Sequence, residues 1–381
     1  MDPRLNDVET ALRDRVRSAA AAVVAAADDI DRGAATAADA IGSLAAEGVL
    51  SICSPEAHGG GGGGAVELAL ACEEIGAASA SVGVVVVGHW VAGSLIDALG
   101  DDAQKQEWLP VLATGAMLAA LAVDGGGSLL ETPGAGVSAT PEAGGLRLDG
   151  TARAVAGATL ADLLVVPVQV GDSVMVAVVE AESDGITIGP EGAKLGLNGA
   201  GLAAIEFSGL CVPTTSTLRA GDVALALAAA ADGARIGHAA VSVGIGRAAL
   251  DASSAYVVAS GDGLDREQSV QWMLADMATE TEAARLLTWY AASRTTAGEL
   301  REAAAMARLL ATDAAVGASR SAVQIFGTAG NERGAGVERL YRDAKAMEVH
   351  HGAAESQRLA VARELLPDLF EGVGPGAVTN R

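Results

Sequence analysis

The sequence predicts an α+β protein in which a helical part, a β part and a second helical part follow one another. The hydrophobic pattern changes twice along the chain, from steps of three and four residues to short β-type runs and back again. Half of the residues are hydrophobic but only 3% are aromatic, so Ala, Val and Leu must build the core. A chain of 381 residues suffices for two or three packed units.

Residues 1–120 are predicted to form an all-α domain. Ala40, Ile41 and Leu44 share one helix face, and Gly48 stands where that helix should end. A run of six glycines, residues 59–64, is interpreted as a mobile loop, since glycine loses much conformational freedom when ordered. The run lacks the Lys-Ser/Thr of a phosphate-binding loop.

Residues 121–222 are predicted to form a β-barrel or sandwich. Short apolar runs at residues 163–170, 174–179 and 203–207 alternate with Gly, Asp, Ser and Pro. From residue 223 to 381 helical periodicity returns over longer stretches, as in Val241, Ile245 and Ala249. Long amphipathic helices joined by short connections predict a four-helix bundle.

Composition excludes several classes of function. The formal charge of −23 and the isoelectric point near 4.5 argue against nucleic-acid and anionic-membrane partners. Cys53, Cys72 and Cys211 show neither metal-ligand spacing nor a disulfide framework. The N-terminus lacks an apolar signal core, and the apolar run at residues 83–96 is shorter than the roughly 18 residues of a membrane span. We expect a soluble, cytoplasmic protein.

Three segments near the C-terminus resemble the acyl-CoA dehydrogenase family. They are residues 324–330 (QIFGTAG), 337–345 (VERLYRDAK) and 355–359 (ESQRL), in the order and spacing of that family. Residues 268–288 and the KLGLNG stretch at 194–199 resemble further family landmarks. The resemblance implies an acyl-CoA dehydrogenase-like fold, FAD as cofactor and an acyl thioester of CoA or a carrier protein as substrate. It also implies a homo- or heterotetramer with a homologous subunit.

The resemblance places His351 where the family has a Glu that removes the α-proton of the thioester. Imidazole titrates near neutrality, so His351 is the candidate catalytic base, while a purely structural role for the His350–His351 pair is the alternative. Some family members carry the base directly before the Arg of an Asp-x-x-Arg segment, and here that position is Ala234. Asp232 and Arg235 of this segment match residues that line the acyl-CoA end of the cleft. Their alternative role is an i,i+3 ion pair within one helix.

The resemblance also assigns cofactor-binding residues. Gln324, Phe326 and Gly327 match a segment that meets the adenosine half of a neighbouring subunit's FAD, although Thr328 replaces a glycine. Their survival for structural reasons alone is the alternative.

The other three flavin motifs of the family are missing. Residues 123–130 stand in place of TEPxAGSD, and the similar residues 131–136 follow about eight positions too late. Residues 154–156 (AVA) replace Trp-Ile-Thr, and no Arg-x-x-Phe-Gly occurs between residues 256 and 268. FAD is therefore expected to be shared with a partner subunit or lost.

No metal site is predicted, because no spacing connects the histidine pair to His58, His89 or His238. Three functions remain open. The chain is the degenerate subunit of a hetero-oligomeric acyl-CoA dehydrogenase, or a stand-alone flavoenzyme that uses His351, or a flavin-free acyl-CoA binding, scaffold or non-redox acyl-thioester protein. We expect an oxidoreductase of CH–CH donors or a subunit of one.

Overall fold

The structure is a computed structural model that describes residues 5–123, 134, 136–261, 263–294 and 296–370. Along the chain it runs from helices through a mixed sheet to helices again, so the predicted fold class is confirmed.

The N-terminal helices begin at polar caps that the sequence supplies. The Asn6 side chain accepts from the Glu9 amide while the Glu9 carboxylate accepts from the Asn6 amide, and Asp101 and Gln104 cap another helix in the same way. These reciprocal bonds satisfy amides that helix geometry leaves unpaired. The helices are α1 (Asp7–Ala19), α2 (Ala21–Asp31), α3 (Ala37–Ala46), α4 (Ala65–Ala78), α5 (Ala80–Leu99) and α6 (Asp102–Ala113).

The glycine run before α4 has a different role from the one predicted. The amide of Gly61 donates to the Ser51 carbonyl at 2.8 Å, and that of Gly63 donates to the Ile52 carbonyl at 2.8 Å. A Cβ atom at Gly60 would lie 2.0 Å from the Ser54 carbonyl oxygen. The glycines therefore allow the loop to pack closely on the preceding turn, and the interpretation as a loose loop is wrong.

Helix α5 is the one helix in the described part of the chain whose length and composition would suit a membrane span. It extends beyond the apolar run recognised in the sequence. However, 78% of its apolar window is buried inside the protein, where it packs on α7 (Val223–Ser260). Such burial is typical of a core helix in a soluble protein.

The middle domain is one mixed sheet with the order β6-β7-β3-β2-β4-β5-β8, and β1 pairs with β4. Among the described residues one pairing, Ser138 with Gln169, joins its two halves, and both halves contribute to one apolar cluster. Because β1 pairs with β4, the sheet starts before residue 121. The strands are β1 (Ala119–Leu121), β2 (Val137–Glu142), β3 (Gly145–Val155), β4 (Leu163–Val170), β5 (Ser173–Glu180), β6 (Ile186–Ile188), β7 (Ala203–Pro213) and β8 (Thr217–Leu218).

The C-terminal domain is built around α7, which packs on α8 and α9 within the domain and on α4 and α5 outside it. The shorter helices α10 and α11 lie against α9 and complete the bundle. The remaining helices are α8 (Gln268–Ala292), α9 (Ala297–Phe326), α10 (Val337–Met347), α11 (Ala354–Leu365) and α12 (Pro367–Phe370).

Close packing of α4 against α7 depends on glycine. A Cβ atom at Gly76 would lie 2.6 Å from the Val241 Cα, and one at Gly244 would lie 2.4 Å from the Glu73 carbonyl oxygen. Beside this crossing, Glu73 forms ion pairs with Arg247 at 3.1 Å and with Arg285 at 3.0 Å. The N-terminal domain and the bundle therefore share one core, which fixes the position of α7.

Candidate active site

The loop between α10 and α11 presents the candidate base. His351 has φ +52° and Gly352 has φ +98°, so the chain turns sharply at both residues. A left-handed conformation is uncommon for a residue with a Cβ and costs of order 1–3 kcal/mol. The surrounding contacts must therefore hold His351 in place.

Three histidines meet at this loop. The ring centroids of His350 and His351 lie 4.8 Å apart, and the ring of His238 on α7 lies 5.1 Å from the first and 4.9 Å from the second. One ring nitrogen from each of the three lies within 4.8 Å of the others. No spacing in the sequence connects His238 to the pair, and the expectation that no third histidine joins it is wrong. The connection exists only in three dimensions, because α7 packs beside the loop.

Helical spacing offered a signal for His238. Asp232, Arg235 and His238 follow one another at three-residue steps on α7, so they lie on adjoining parts of one face. Since the first two were candidate site residues, the third was accessible to the same reasoning.

All three imidazoles are held in the neutral form. Burial, followed by the charge of Arg308, lowers the pKa of His351 to about 4. Burial lowers the pKa of His238 and of His350 well below the usual value, and a proton on His351 would lower both further. Nε2 of His238 and Nε2 of His350 are buried without a hydrogen-bond partner among the described residues. His351 keeps part of its surface accessible.

Arg308 on α9 fixes the backbone of the loop. Its guanidinium donates to the Met347 carbonyl at 2.6 Å and to the His350 carbonyl at 3.0 Å. It also donates to the hydroxyls of Ser242 and Thr312. The side chain is buried, has no acidic partner within the described ranges, and burial lowers its pKa to about 10. Arg308 thus caps the carbonyl end of α10 with a cation that no carboxylate of the described residues neutralises.

Asp232 and Arg235 form an i,i+3 ion pair within α7, which was the alternative role predicted for them. The guanidinium and the carboxylate lie 2.7 Å apart, and both side chains are buried. The Arg235 Nε donates to Gln357 Oε1 at 3.0 Å, and the Gln357 amide donates to the Gly352 carbonyl at 3.4 Å. Burial raises the pKa of Asp232 although Arg235 opposes this. The pair therefore supports the histidine loop through Gln357, and direct contact with substrate stays a prediction.

The predicted adenosine-binding residues lie elsewhere. Gln324, Phe326 and Gly327 are at the end of α9, about 24 Å along that helix from Arg308, given 1.5 Å per residue. Phe326 stacks on Tyr256 with ring centroids 4.1 Å apart, while Gln324 and Gly327 are exposed. One chain therefore does not bring these residues to His351. Their exposure suits the predicted contact with a neighbouring subunit.

A cleft of about 600 Å³ between the sheet and α10 reaches the histidine loop. Its lining includes Ala154, Leu195, Leu197, Lys345 and His350. The exposed Ala154 has φ +53° and belongs to the segment that replaces Trp-Ile-Thr. The segment in place of TEPxAGSD lies outside the described residues except for its first residue, Val123, and of residues 131–136 only Gly134 and Gly136 are described.

Leu197 and Asp343 join the cleft to α10. The Leu197 amide donates to the Asp343 carboxylate at 2.7 Å, and a Cβ at Gly196 would lie 2.2 Å from the Arg342 carbonyl oxygen. This contact explains the glycine at position 196. The two ammonium groups on the cleft wall, Lys194 and Lys345, pair with Glu191 and Glu348.

The described residues fit a flavin in part. The lining is mainly aliphatic and suits a flat apolar ring, but its described side chains supply few free donors for the polar edge and the pyrophosphate.

The protein combines a helical domain, a mixed sheet and a helical bundle, and its cleft reaches the loop that carries the candidate base His351. This arrangement defines a flavin-dependent dehydrogenase fold. Residues 6–116 match the family model for the acyl-CoA dehydrogenase N-terminal domain, and residues 224–366 match the model for its C-terminal domain. The chain belongs to the acyl-CoA dehydrogenase family. Members of this family are FAD-dependent oxidoreductases of lipid metabolism and are often tetrameric.

Individual relatives agree along most of the chain. An acyl-CoA dehydrogenase of Bacillus subtilis is 34% identical over 337 residues, which cover 86% of this chain and 89% of that protein. Butyryl-CoA dehydrogenase from Megasphaera elsdenii has a TM-score of 0.86 at 27% identity and covers 96% of this chain and 100% of its own. A glutaryl-CoA dehydrogenase from Mycobacterium smegmatis in complex with FADH2 has a TM-score of 0.87 and covers 95% of both chains. At 22% identity, the last shows the fold alone.

Proposed function

We propose that this chain is one subunit of an acyl-CoA dehydrogenase-type enzyme, in which a homologous subunit supplies the carboxylate base and completes the flavin site. The reaction is the α,β-dehydrogenation of an acyl thioester with FAD, in the cytoplasm. The observation that carries the proposal is the base position itself, where His351 lies among neutral imidazoles beside the cation Arg308.

The electrostatics of this position oppose a strong base. Burial raises the pKa of a carboxylate and strengthens it as a base, but burial lowers the pKa of an imidazole and weakens it. Arg308 adds to the second effect, because protonated His351 would be a cation beside another cation. A carboxylate at the same place would be attracted to Arg308. The site is therefore poorly suited to abstracting a weakly acidic α-proton by itself.

The placement of the cofactor residues also supports sharing between subunits. Gln324 and Gly327 are exposed at the far end of α9, where a neighbouring chain has access to them. Ala154 offers no aromatic face at the cleft. One subunit would then contribute an adenosine contact while its homologue holds the reactive ring.

The yellow colour of bound FAD in the purified protein tests this proposal directly. The chain is expressed alone and together with a homologous subunit from the same source, and bound FAD is measured by absorbance after purification. We expect little FAD in the chain alone and close to stoichiometric FAD, with acyl-CoA dehydrogenation, in the complex. Stoichiometric FAD and turnover in the chain alone would refute the shared site. A complex without flavin would indicate a flavin-free acyl-CoA binding role.

One observation favours the stand-alone enzyme as a second candidate. His351 is partly accessible, and a proton taken by it has two unpaired imidazole nitrogens nearby, Nε2 of His238 and Nε2 of His350. Proton sharing across such a cluster spreads the positive charge. Turnover by the chain alone that is lost in His351→Gln would establish this candidate.

A further inference from the structure

We propose that His238, His350 and His351 form a binding site for one divalent transition-metal ion of the Zn²⁺ type. The inference is independent of the proposed function, because it concerns the ligand geometry of this chain alone. A metal-bound His351 would have no lone pair left for proton transfer, so the two roles exclude each other in time.

The ligand set has the number and type that zinc uses at open sites. Three histidine nitrogens with a fourth position left for water is a known arrangement of catalytic zinc, with Zn–N distances of about 2.0–2.1 Å. In a tetrahedron these distances place the nitrogens about 3.3 Å apart. The nitrogens here lie within 4.8 Å of one another, so ring rotations that move them inward by about 1 Å would complete the site.

Two of the three ligands have nothing else to bind in the described part of the chain. Nε2 of His238 and Nε2 of His350 are buried and unpaired. Leaving a buried polar group without a hydrogen bond typically lowers the stability of the folded state by about 1–3 kcal/mol. The ring of His238 already makes a hydrogen bond to the backbone of Ala234, which orients its free nitrogen. A metal ion would pair both buried nitrogens at once.

The surroundings also allow a metal to enter and be held. The cleft between the sheet and α10 reaches His350, and the neighbouring His351 is partly accessible to solvent. Arg308 fixes the carbonyls of Met347 and His350, so the backbone that carries two of the ligands is held in place.

Arg308 also sets the expected strength of the site. Its positive charge repels a divalent cation and favours an anion, such as hydroxide, as the fourth ligand. We therefore expect weaker binding than at a three-histidine site without a neighbouring cation.

Cobalt(II) and zinc(II) test the site without any enzyme assay. The full chain, with any affinity tag removed, is treated with a chelator and titrated with Co²⁺ while its visible d–d absorption is recorded. We expect one Co²⁺ per chain with the intense bands of a four-coordinate ion, and displacement of Co²⁺ by Zn²⁺. The variants His238→Ala and His351→Gln should each weaken binding roughly 10-fold or more.

His58→Ala is the matched control, since His58 lies in the turn Glu56–His58 outside the cluster, and it should bind Co²⁺ like the unaltered chain. Thermal unfolding without metal checks that each variant folds. Added Zn²⁺ should raise the unfolding temperature of the unaltered chain and of His58→Ala only. Absence of saturable Co²⁺ binding up to about millimolar concentration, or equal binding by His238→Ala, would overturn the proposal. Neither result bears on FAD content, so failure of this inference is distinguishable from failure of the proposed function.

Discussion

Replacing Gly244 by Ala should force α4 and α7 apart at their closest crossing. The new Cβ would lie 2.4 Å from the Glu73 carbonyl oxygen and 2.5 Å from the Ala77 amide nitrogen. Both are backbone atoms, so no side-chain rotation relieves the contact. The same crossing has Gly76 against Val241 on the other side, which leaves no room for α7 to slide.

The expected cost follows from these distances. Non-bonded atoms pack at about 3.5 Å, so the helices must separate by about 1 Å at this point. Overpacking of this kind costs typically 1–3 kcal/mol, whereas Gly to Ala within a helix gains about 0.5–1 kcal/mol. The ion pairs of Glu73 with Arg247 and Arg285 would also be strained. We expect a net loss of about 1–2 kcal/mol in the free energy of unfolding.

Gly233→Ala is the matched control. Gly233 lies on the same helix, and a Cβ there would meet no atom within 4 Å. This variant should therefore gain stability by about 0.5–1 kcal/mol. Urea unfolding followed by circular dichroism measures both, at equal protein concentration because an oligomer is expected. Equal shifts for the two variants, or a stabilised Gly244→Ala, would refute the packing argument.

Three further predictions concern the site and the assembly. In the complex, where the partner is proposed to supply the base, His351→Gln should leave turnover and unfolding almost unchanged, and a fall in turnover of roughly 10² would assign the base to His351. Light scattering should find a tetramer or half of one, and a stable monomer at micromolar concentration would contradict this. Burial raises the pKa of Asp343 to about 6, so the folded state keeps a proton that the unfolded chain has already lost. Its stability therefore falls as pH rises from the unfolded pKa of about 4 to the folded pKa of about 6, and then stays level. Relative to the unaltered chain, Asp343→Asn should gain about 1 kcal/mol between pH 5 and pH 8 in urea unfolding, and a constant difference would disprove the shift.

The sequence was sufficient for the fold because its signals are local. The change of hydrophobic period located the sheet between two helical parts, and the C-terminal segments supplied the family spacing. The domain limits were less certain, since β1 pairs with β4 and so brings residues 119–121 into the sheet. The glycine run was misread because its hydrogen bonds go to Ser51 and Ile52, and composition does not reveal such partners.

The site was predicted only in part. The resemblance to the family assigned His351 and the Asp232–Arg235 pair, but it gave no role to His238 on α7 or to Arg308 on α9, which are far from the loop in sequence. In Ala-rich helices the apolar face is broad, so periodicity does not tell which polar residue points inward. Arg308 in particular looks like one more surface cation until burial shows its four hydrogen bonds.

One difference from the family accounts for several features of this site at once. A carboxylate at position 351 would have been the natural counter-ion of Arg308, whose charge lies close enough to lower the pKa of His351. With histidine there, Arg308 has no acidic partner among the described residues, and burial lowers its own pKa to about 10. The imidazoles beside it stay neutral mainly because they are buried, and the charge of Arg308 adds to this effect. The site therefore favours ligands that bring negative charge, whether an anionic thioester intermediate or a metal-bound hydroxide.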